Sequence, residues 1–357
     1  MKQCITALLL FAALLAAGCS SDTAINREEK KTFTDVELRQ LESARIYEMN
    51  HAELDAYIGY LQRTEPDLRK RIIKIAKQNL NQPYNMYLLG EYPFEIYDPQ
   101  PLFNLSESDC VVFCEHTYAM ALSSNWKMFF SMLQRIRYKN GEIGMLTRNH
   151  YTEADWTVNN DWLVKNIDQE LVGSKVKPVQ SHINRAAFFK QHKIGQDIPV
   201  QKLDWEYIPA SEVPEAIKGL KSGDFVNVVR GSSPDNVYVG HTGIISVEND
   251  GTVNLIHSTD PQVKIQTVLS YMEESLALSK KRETENRLID EENEVIRKEN
   301  EQLRAQNDGK PHPDEKKLKS KKPYFYGFRF YRLQDNAMEN LKKIDGERAP
   351  KTIIYGQ

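Results

Sequence analysis

Between Phe33 and Gln62 the apolar residues Val36, Leu38, Leu41, Ile46, Leu54, Tyr57, Ile58 and Leu61 recur at roughly helical spacing. Glu65-Pro66-Asp67 breaks that run, because a proline inside a helix loses a backbone donor and clashes with the preceding turn. Leu68, Ile72, Ile75, Ala76 and Leu80 then fall on one stripe, which predicts an amphipathic helix starting at Asp67. Residues 81–101 are rich in Pro and Tyr and read as irregular. The apolar run VVFCEHTYAMAL predicts a helix from about Cys110 to about Asn125, and Trp126 to Tyr138 a second one. After the Asn140-Gly141 turn the chain to Trp162 is polar and aromatic. The period then changes to two: GDFVNVVRG and GHTGIISVENDGTVNLIHST alternate as strands, with Asn249-Asp250-Gly251 as a hairpin turn. YFYGFRFYRL, residues 324–333, is the last strand. Helices followed by antiparallel strands predict an α+β fold.

The start of the chain, MKQCITALLLFAALLAAGCSS, adds export to this picture. Lys2 is a short basic start, and Ile5 to Leu15 is apolar but too short to span a bilayer. Ala16-Ala17-Gly18-Cys19 is a small-residue cleavage site ending in cysteine, which predicts a signal peptide over residues 1–19. It resembles the lipobox of bacterial lipoproteins, with Ala16 where Leu is more usual. That resemblance implies lipidation at Cys19 and a protein lipid-anchored to a membrane of the cell envelope. Ser20 and Ser21 fit the outer membrane of a Gram-negative bacterium, facing the periplasm or the surface. Cys4 leaves with the signal, so Cys110 and Cys114 are the thiols of the mature body. Four residues apart on one helix, they suit a disulfide poorly. A net charge of −3 offers no basic field, so nucleic acid is not expected as a partner.

Residues 280–322 have a different texture, dense in Glu, Lys and Arg. Ile289, Ile296 and Leu303 repeat every seven residues, but Glu292 and Glu299 occupy the positions a coiled coil needs apolar. The expectation is a solvated, charged helical insertion with a basic, Pro-containing tail, and a candidate surface for a protein partner.

Candidate chemistry centres on Ser108-Asp109-Cys110-Val111. A cysteine at a helix N-terminus meets unpaired N–H groups and the helix dipole, which favour thiolate over thiol. A turn centred on Asn249 to Gly251 places His241 opposite the region of Thr259 and brings His257 within two or three positions of it. The three residues make a nucleophile (Cys110), a base (His241) and its orienter (His257), with the Cys110 N–H available to an oxyanion. Each has a structural alternative: packing for the cysteine and satisfied core positions for the histidines. Cys114 reads as packing and His116 as a surface or capping residue. Zinc is a competing use of Cys110, Cys114, His116, His241 and His257, but C-x-x-x-C with dispersed histidines lacks the paired spacing of structural zinc sites. No metal or cofactor is expected.

At these residues the chain resembles the NlpC-type cysteine peptidases of bacterial cell walls, which have a papain-like core. RIIKIAKQNLNQPYNMYLLGE is similar to their opening helix and Pro-Tyr segment, Asp109-Cys110 to their nucleophile, Gly240-His241-Thr242-Gly243-Ile244 to their histidine strand, and Leu255-Ile256-His257-Ser258 to their third catalytic position. Within that superfamily it most resembles the N-acetylmuramoyl-L-alanine amidase-like family, through DCVVFCE, RYKNG and HYTEADW. The likeness covers roughly residues 68–275 and the last strand. Val112 stands where that family commonly has Thr, and Cys114 where it commonly has an apolar residue. It implies a papain-like nucleophile helix packed on an antiparallel sheet. It also implies substrate-binding roles for Tyr84, Asp109, His150, Tyr151 and Trp156, with aromatic packing as the alternative for Tyr151 and Trp156.

The expected organisation is a signal peptide (1–19), a tether and N-terminal helices (20–66), an amidase core (67–279), the charged insertion (280–322) and a final strand with a C-terminal tail (323–357). The expected function is a cell-envelope cysteine amidase or peptidase that hydrolyses an amide of peptidoglycan, in the stem peptide or between muramic acid and L-alanine, with peptidoglycan or muropeptides as substrate. The alternatives are a thioester-mediated acyltransferase of the same fold and a non-catalytic envelope-binding lipoprotein.

Overall fold

The computed structural model describes residues 32–348, so the expected signal peptide and Cys19 lie outside the described residues. No helix among the described residues is long and apolar enough to cross a membrane. The N-terminal apolar run is two helices, α1 (Asp35–Leu41) and α2 (His51–Thr64). Asn50 starts α2 with a capping box: its side chain accepts from the Glu53 N–H, and the Glu53 carboxylate accepts from the Asn50 N–H. α3 (Leu68–Gln78) begins at Asp67 as its stripe predicts, and buries Ile72, Ile75 and Ala76. α4 (Cys110–Ala121) ends four residues before the expected Asn125, because Asn125 caps α5 (Trp126–Arg137) through the Met128 N–H. Every residue of α4 from Val112 to Ala121 is buried, so this helix is central rather than amphipathic.

Among the described residues, eight antiparallel strands form one sheet: β1 (Val164–Asn166), β2 (Lys177–Ile183), β3 (Gln201–Pro209), β4 (Phe225–Ser233), β5 (Asn236–Val247), β6 (Val253–Thr259), β7 (Gln262–Thr267) and β8 (Tyr324–Leu333). Their order is β2-β3-β8-β4-β5-β6-β7, with β1 also paired to β8. β8 has the bounds its alternation predicts. β3 meets β8 only at Ile208 and Pro209, opposite Phe328 and Gly327. Gly327 has φ +156, and a methyl there would press on the Ile208 carbonyl oxygen.

One face of the sheet carries α4, with Tyr118 against Phe225 and Trp156 stacked on Phe225 at 4.5 Å. The other face buries Val226, Val228, Ile245, Phe328 and Phe330 under Val268, Tyr271 and Met272. Those last three residues open a continuous helix, Val268–Ala305. The expected boundary at 279/280 therefore falls inside one helix that leaves the core without a break.

The basic, Pro-containing tail is strapped to that helix. Asn286, Asn293 and Asn300, spaced by seven, each use Nδ2 and Oδ1 to bond both backbone groups of Lys322, Lys319 and Lys316 in turn, at 2.7–2.9 Å. Seven helical residues rise about 10 Å, and three extended residues span nearly the same length, so the two repeats stay in step. Lys316–Glu299, Lys319–Glu292 and Lys321–Asp290 pairs, each at 2.8 Å, flank the ladder.

Candidate active site

The nucleophile candidate is delivered by a loop and a cap. Asp109 precedes α4 and accepts from the Val111 and Val112 N–H groups at 2.9 and 2.8 Å. Ser108, buried just before it, donates to Gln82 Oε1 at 2.7 Å, and its carbonyl accepts from the Ser258 hydroxyl at 2.8 Å. Ser258 follows His257, so this pair of serines ties the β6 histidine to the start of α4. Tyr84 joins the same seam: its N–H donates to Pro261 O at 2.9 Å.

β5 and β6 pair in the register that the Asn249–Gly251 turn predicts, Ile244 opposite Ile256 and Val247 opposite Val253. His241 Nε2 lies 2.7 Å from His257 Nδ1 with the rings edge to face. The neighbouring Thr242 donates from its hydroxyl to Cys110 O at 3.5 Å, and its backbone N–H points at the Cys110 thiol. Thr242, the residue after His241, thus ties the start of α4 to the strand that carries the His241–His257 pair. Cys114 is also a free thiol, buried with Sγ 3.3 Å from Thr242 Oγ1, a packing position as expected.

Burial opposes the thiolate that the helix N-terminus favours. Burial and then the Asp109 carboxylate push the half-buried Cys110 thiol up to about 12, outweighing the N–H groups of Thr242, Val111 and Cys110. Burial, then His257, Arg230 and Lys264, hold the His241 imidazole well below its usual range. Burial and then Lys264 bring His257 to about 4. Burial thus disfavours charge on both groups, thiolate and imidazolium alike. The expectation weighed the helix terminus and omitted the desolvation of a covered site.

Sequence reading missed Tyr271 and Arg230. The Tyr271 ring lies parallel to His241 at 6.2 Å and on edge to His257 at 5.4 Å, and its hydroxyl accepts from Arg230 Nη2 at 2.9 Å. Nothing in sequence marks a ring that will roof two histidines. Tyr84 is half-buried, and burial, followed by Cys110 and Asp109, raises its phenol to about 12.

The other expected binding residues divide. His150 and Tyr151 line a 520 Å³ cavity with Ser181, Ile183 and Val239, two residues before His241 on β5. Trp156 does not: it is 0% exposed, and its Nε1 donates to Glu115 Oε1 at 3.1 Å. Glu115 is in turn 3.3 Å from Arg137 Nη1, and Arg137 Nη2 donates to Leu89 O. The Glu of DCVVFCE, the Arg of RYKNG and the Trp of HYTEADW therefore meet in one buried network behind α4, holding the helix rather than lining the cleft. His116 is likewise buried, with Nδ1 2.8 Å from Val112 O, and is not the surface residue expected.

The profile of the AmiA-like, N-acetylmuramoyl-L-alanine amidase-like family matches residues 74–278. The chain belongs to that family. Among solved structures, it is similar to the DUF1460-family protein LPG0564 of Legionella pneumophila, with a TM-score of 0.61 at 16% identity, over 81% of this chain and 95% of the other. This member of the amidase-like family therefore shares that fold. It is also similar to an N-acetylmuramoyl-L-alanine amidase from Bacteroides uniformis, with a TM-score of 0.48 at 21% identity, over 75% of this chain and 99% of the other. No curated protein matches the sequence.

Proposed function

We propose that this chain is a cell-wall amidase that hydrolyses an amide of peptidoglycan, in the stem peptide or at N-acetylmuramoyl-L-alanine, through Cys110 on a papain-like core. The observation that carries the reading is the His241–His257 contact of 2.7 Å, on a strand whose next residue touches both the backbone and the thiol of Cys110. Membership of the amidase-like family supports the substrate class.

With Nε2–H of His241 donating to His257 Nδ1, the Nδ1 of His241 is free to act as base. It takes the Cys110 proton as sulfur attacks the amide carbonyl, so the thiolate forms only when a substrate is there to receive it. The N–H of Cys110 stabilises the tetrahedral oxyanion. His241 then returns the proton to the leaving amine, and a thioester remains. Water, deprotonated by His241, cleaves the thioester, releases the acid and restores the thiol. A lipid anchor at Cys19 in the outer membrane would hold the enzyme beside its polymer.

The test is incubation of purified mature protein with muropeptides beside Cys110→Ala, with products identified by mass spectrometry. New amine and carboxyl ends that vanish in the variant are the expected result. Intact muropeptides from several wall types would sink the amidase reading, and binding without cleavage would favour an envelope-binding lipoprotein.

A further inference from the structure

A second cavity, of 590 Å³, opens between β3, β8 and the 153–165 segment on the α4 side of the sheet. At its floor lies Arg329, only 8% exposed. Its guanidinium is held between the rings of Trp205 and Tyr331, 5.1 and 5.3 Å from their centroids. Asp168 is its one acid contact among the described residues, 3.5 Å from Nε, and Nε makes no hydrogen bond there. The two carboxylate oxygens of Asp168 are already bonded to Phe330 N and Asn166 Nδ2 at 2.7 and 2.8 Å. A planar five-donor cation stacked between aromatics and left short of acceptors is a carboxylate receptor.

The rest of the lining narrows the ligand further. Glu153 is buried, and Asp161, Asp204 and Glu206 line the same cavity, against Lys165 as the other base. A purely anionic guest would meet four carboxylates, and a purely cationic one would meet Arg329. A group that carries both charges satisfies both. Glu153 also lines the His150–Tyr151 cavity that reaches Val239, so the two cavities adjoin, and the path leads back to the His241 strand.

We propose that the Arg329 cavity is a subsite for a zwitterionic amino-acid head group, its carboxylate on Arg329 and its ammonium toward Glu153. Resting on the muropeptide reading, that group is the far end of a diamino dicarboxylic residue in the stem peptide. The test is calorimetric titration of the Cys110→Ala protein with two muramoyl tripeptides that differ only in that far carboxylate, free or amidated. The free form should bind at least tenfold more tightly, and Arg329→Gln should erase the difference, with Arg329→Lys, which keeps a cation beside Asp168, retaining part of it. Glu153→Gln should weaken the peptide with a free far amine and leave its N-acetylated form unchanged. Equal affinity for the two tripeptides, or no binding of either, overturns the subsite. Wild-type protein that cleaves both while binding them equally would remove the subsite and leave the amidase reading intact. Discrimination in binding with no cleavage by wild type would do the reverse.

Discussion

Charged residues are used in opposite ways behind α4 and along the helix Val268–Ala305. Behind α4, Glu115, Arg137 and Trp156 form a small closed network, with Glu115 1% exposed and bonded on both oxygens. On the long helix, charge is plentiful and wet, and the specific contacts are made by neutral Asn side chains to backbone. The first arrangement concentrates its energy in one place, where removal of a partner strands a buried charge. The second divides it into repeats that fail one at a time. Charge density along a sequence is therefore no guide to what holds a segment: at 280–322 it is the residues between the charges.

The sharpest way to break the comparison is Arg137→Met. It strands the Glu115 carboxylate in an apolar setting and should cost about 3–5 kcal/mol of global stability, read by urea unfolding. If both partners are made apolar, as Glu115→Leu with Arg137→Met, much of that loss should return. Asn293→Ala removes two bonds to Lys319 and should cost about 1–3 kcal/mol, but only locally. Hydrogen exchange at the Lys319 amide should rise tenfold or more while the global unfolding midpoint stays put. A fall in the global midpoint as large as that of Arg137→Met would contradict independent repeats. Lys319→Gln, which removes only the exposed pair with Glu292, should change stability by at most about 1 kcal/mol at low salt.

A smaller, pH-dependent effect belongs to the buried side of the comparison. Burial, partly offset by the bond to Val112 O, brings His116 from 6.5 to about 4. The unfolded chain therefore binds a proton that the native state does not over that window, so stability is full above 6.5 and falls as the pH drops toward 4. Asp168, raised by burial from 3.8 to about 6, works in the opposite sense over part of the range. The clean measurement is the difference in melting temperature between wild type and His116→Gln, which should be larger at pH 7 than at pH 4.5. A difference independent of pH would show that folding does not shift the His116 imidazole.

The same contrast governs what could be read in advance. β8 and the β5–β6 register were legible because alternation and an Asn-Asp-Gly turn are local signals. The His241–His257 contact was legible because it follows from that register, whereas the place of Cys110 depends on how the fold brings α4 to the sheet. His116 was misplaced, and Trp156 left open between cleft and packing, because an aromatic or a histidine in a mixed segment does not say which way it faces. The Asn ladder was invisible for a different reason. Its seven-residue period was sought in Ile289 and Ile296, whereas Asn286, Asn293 and Asn300 bond to backbone, and any residue can supply backbone. β2 and β3 were unseen because their faces, as in Val179 and Trp205, cover only a small cluster.

The central position of β8 also sets a schedule. It is the last strand of the described chain to be synthesised, yet it alone joins β3 and β1 on one side to β4 on the other. Until residues 324–333 emerge, the earlier strands are β2–β3, β4 to β7 and β1 alone, with unpaired edges, and Val226 and Val228 have no neighbour on one side. The sheet therefore cannot close until β8 has been made. A chain cut anywhere before Tyr324 should be degraded or aggregate, not persist as a shorter enzyme. A cell making this protein thus has a built-in proofreading step: only a chain translated through its last strand can survive as folded protein.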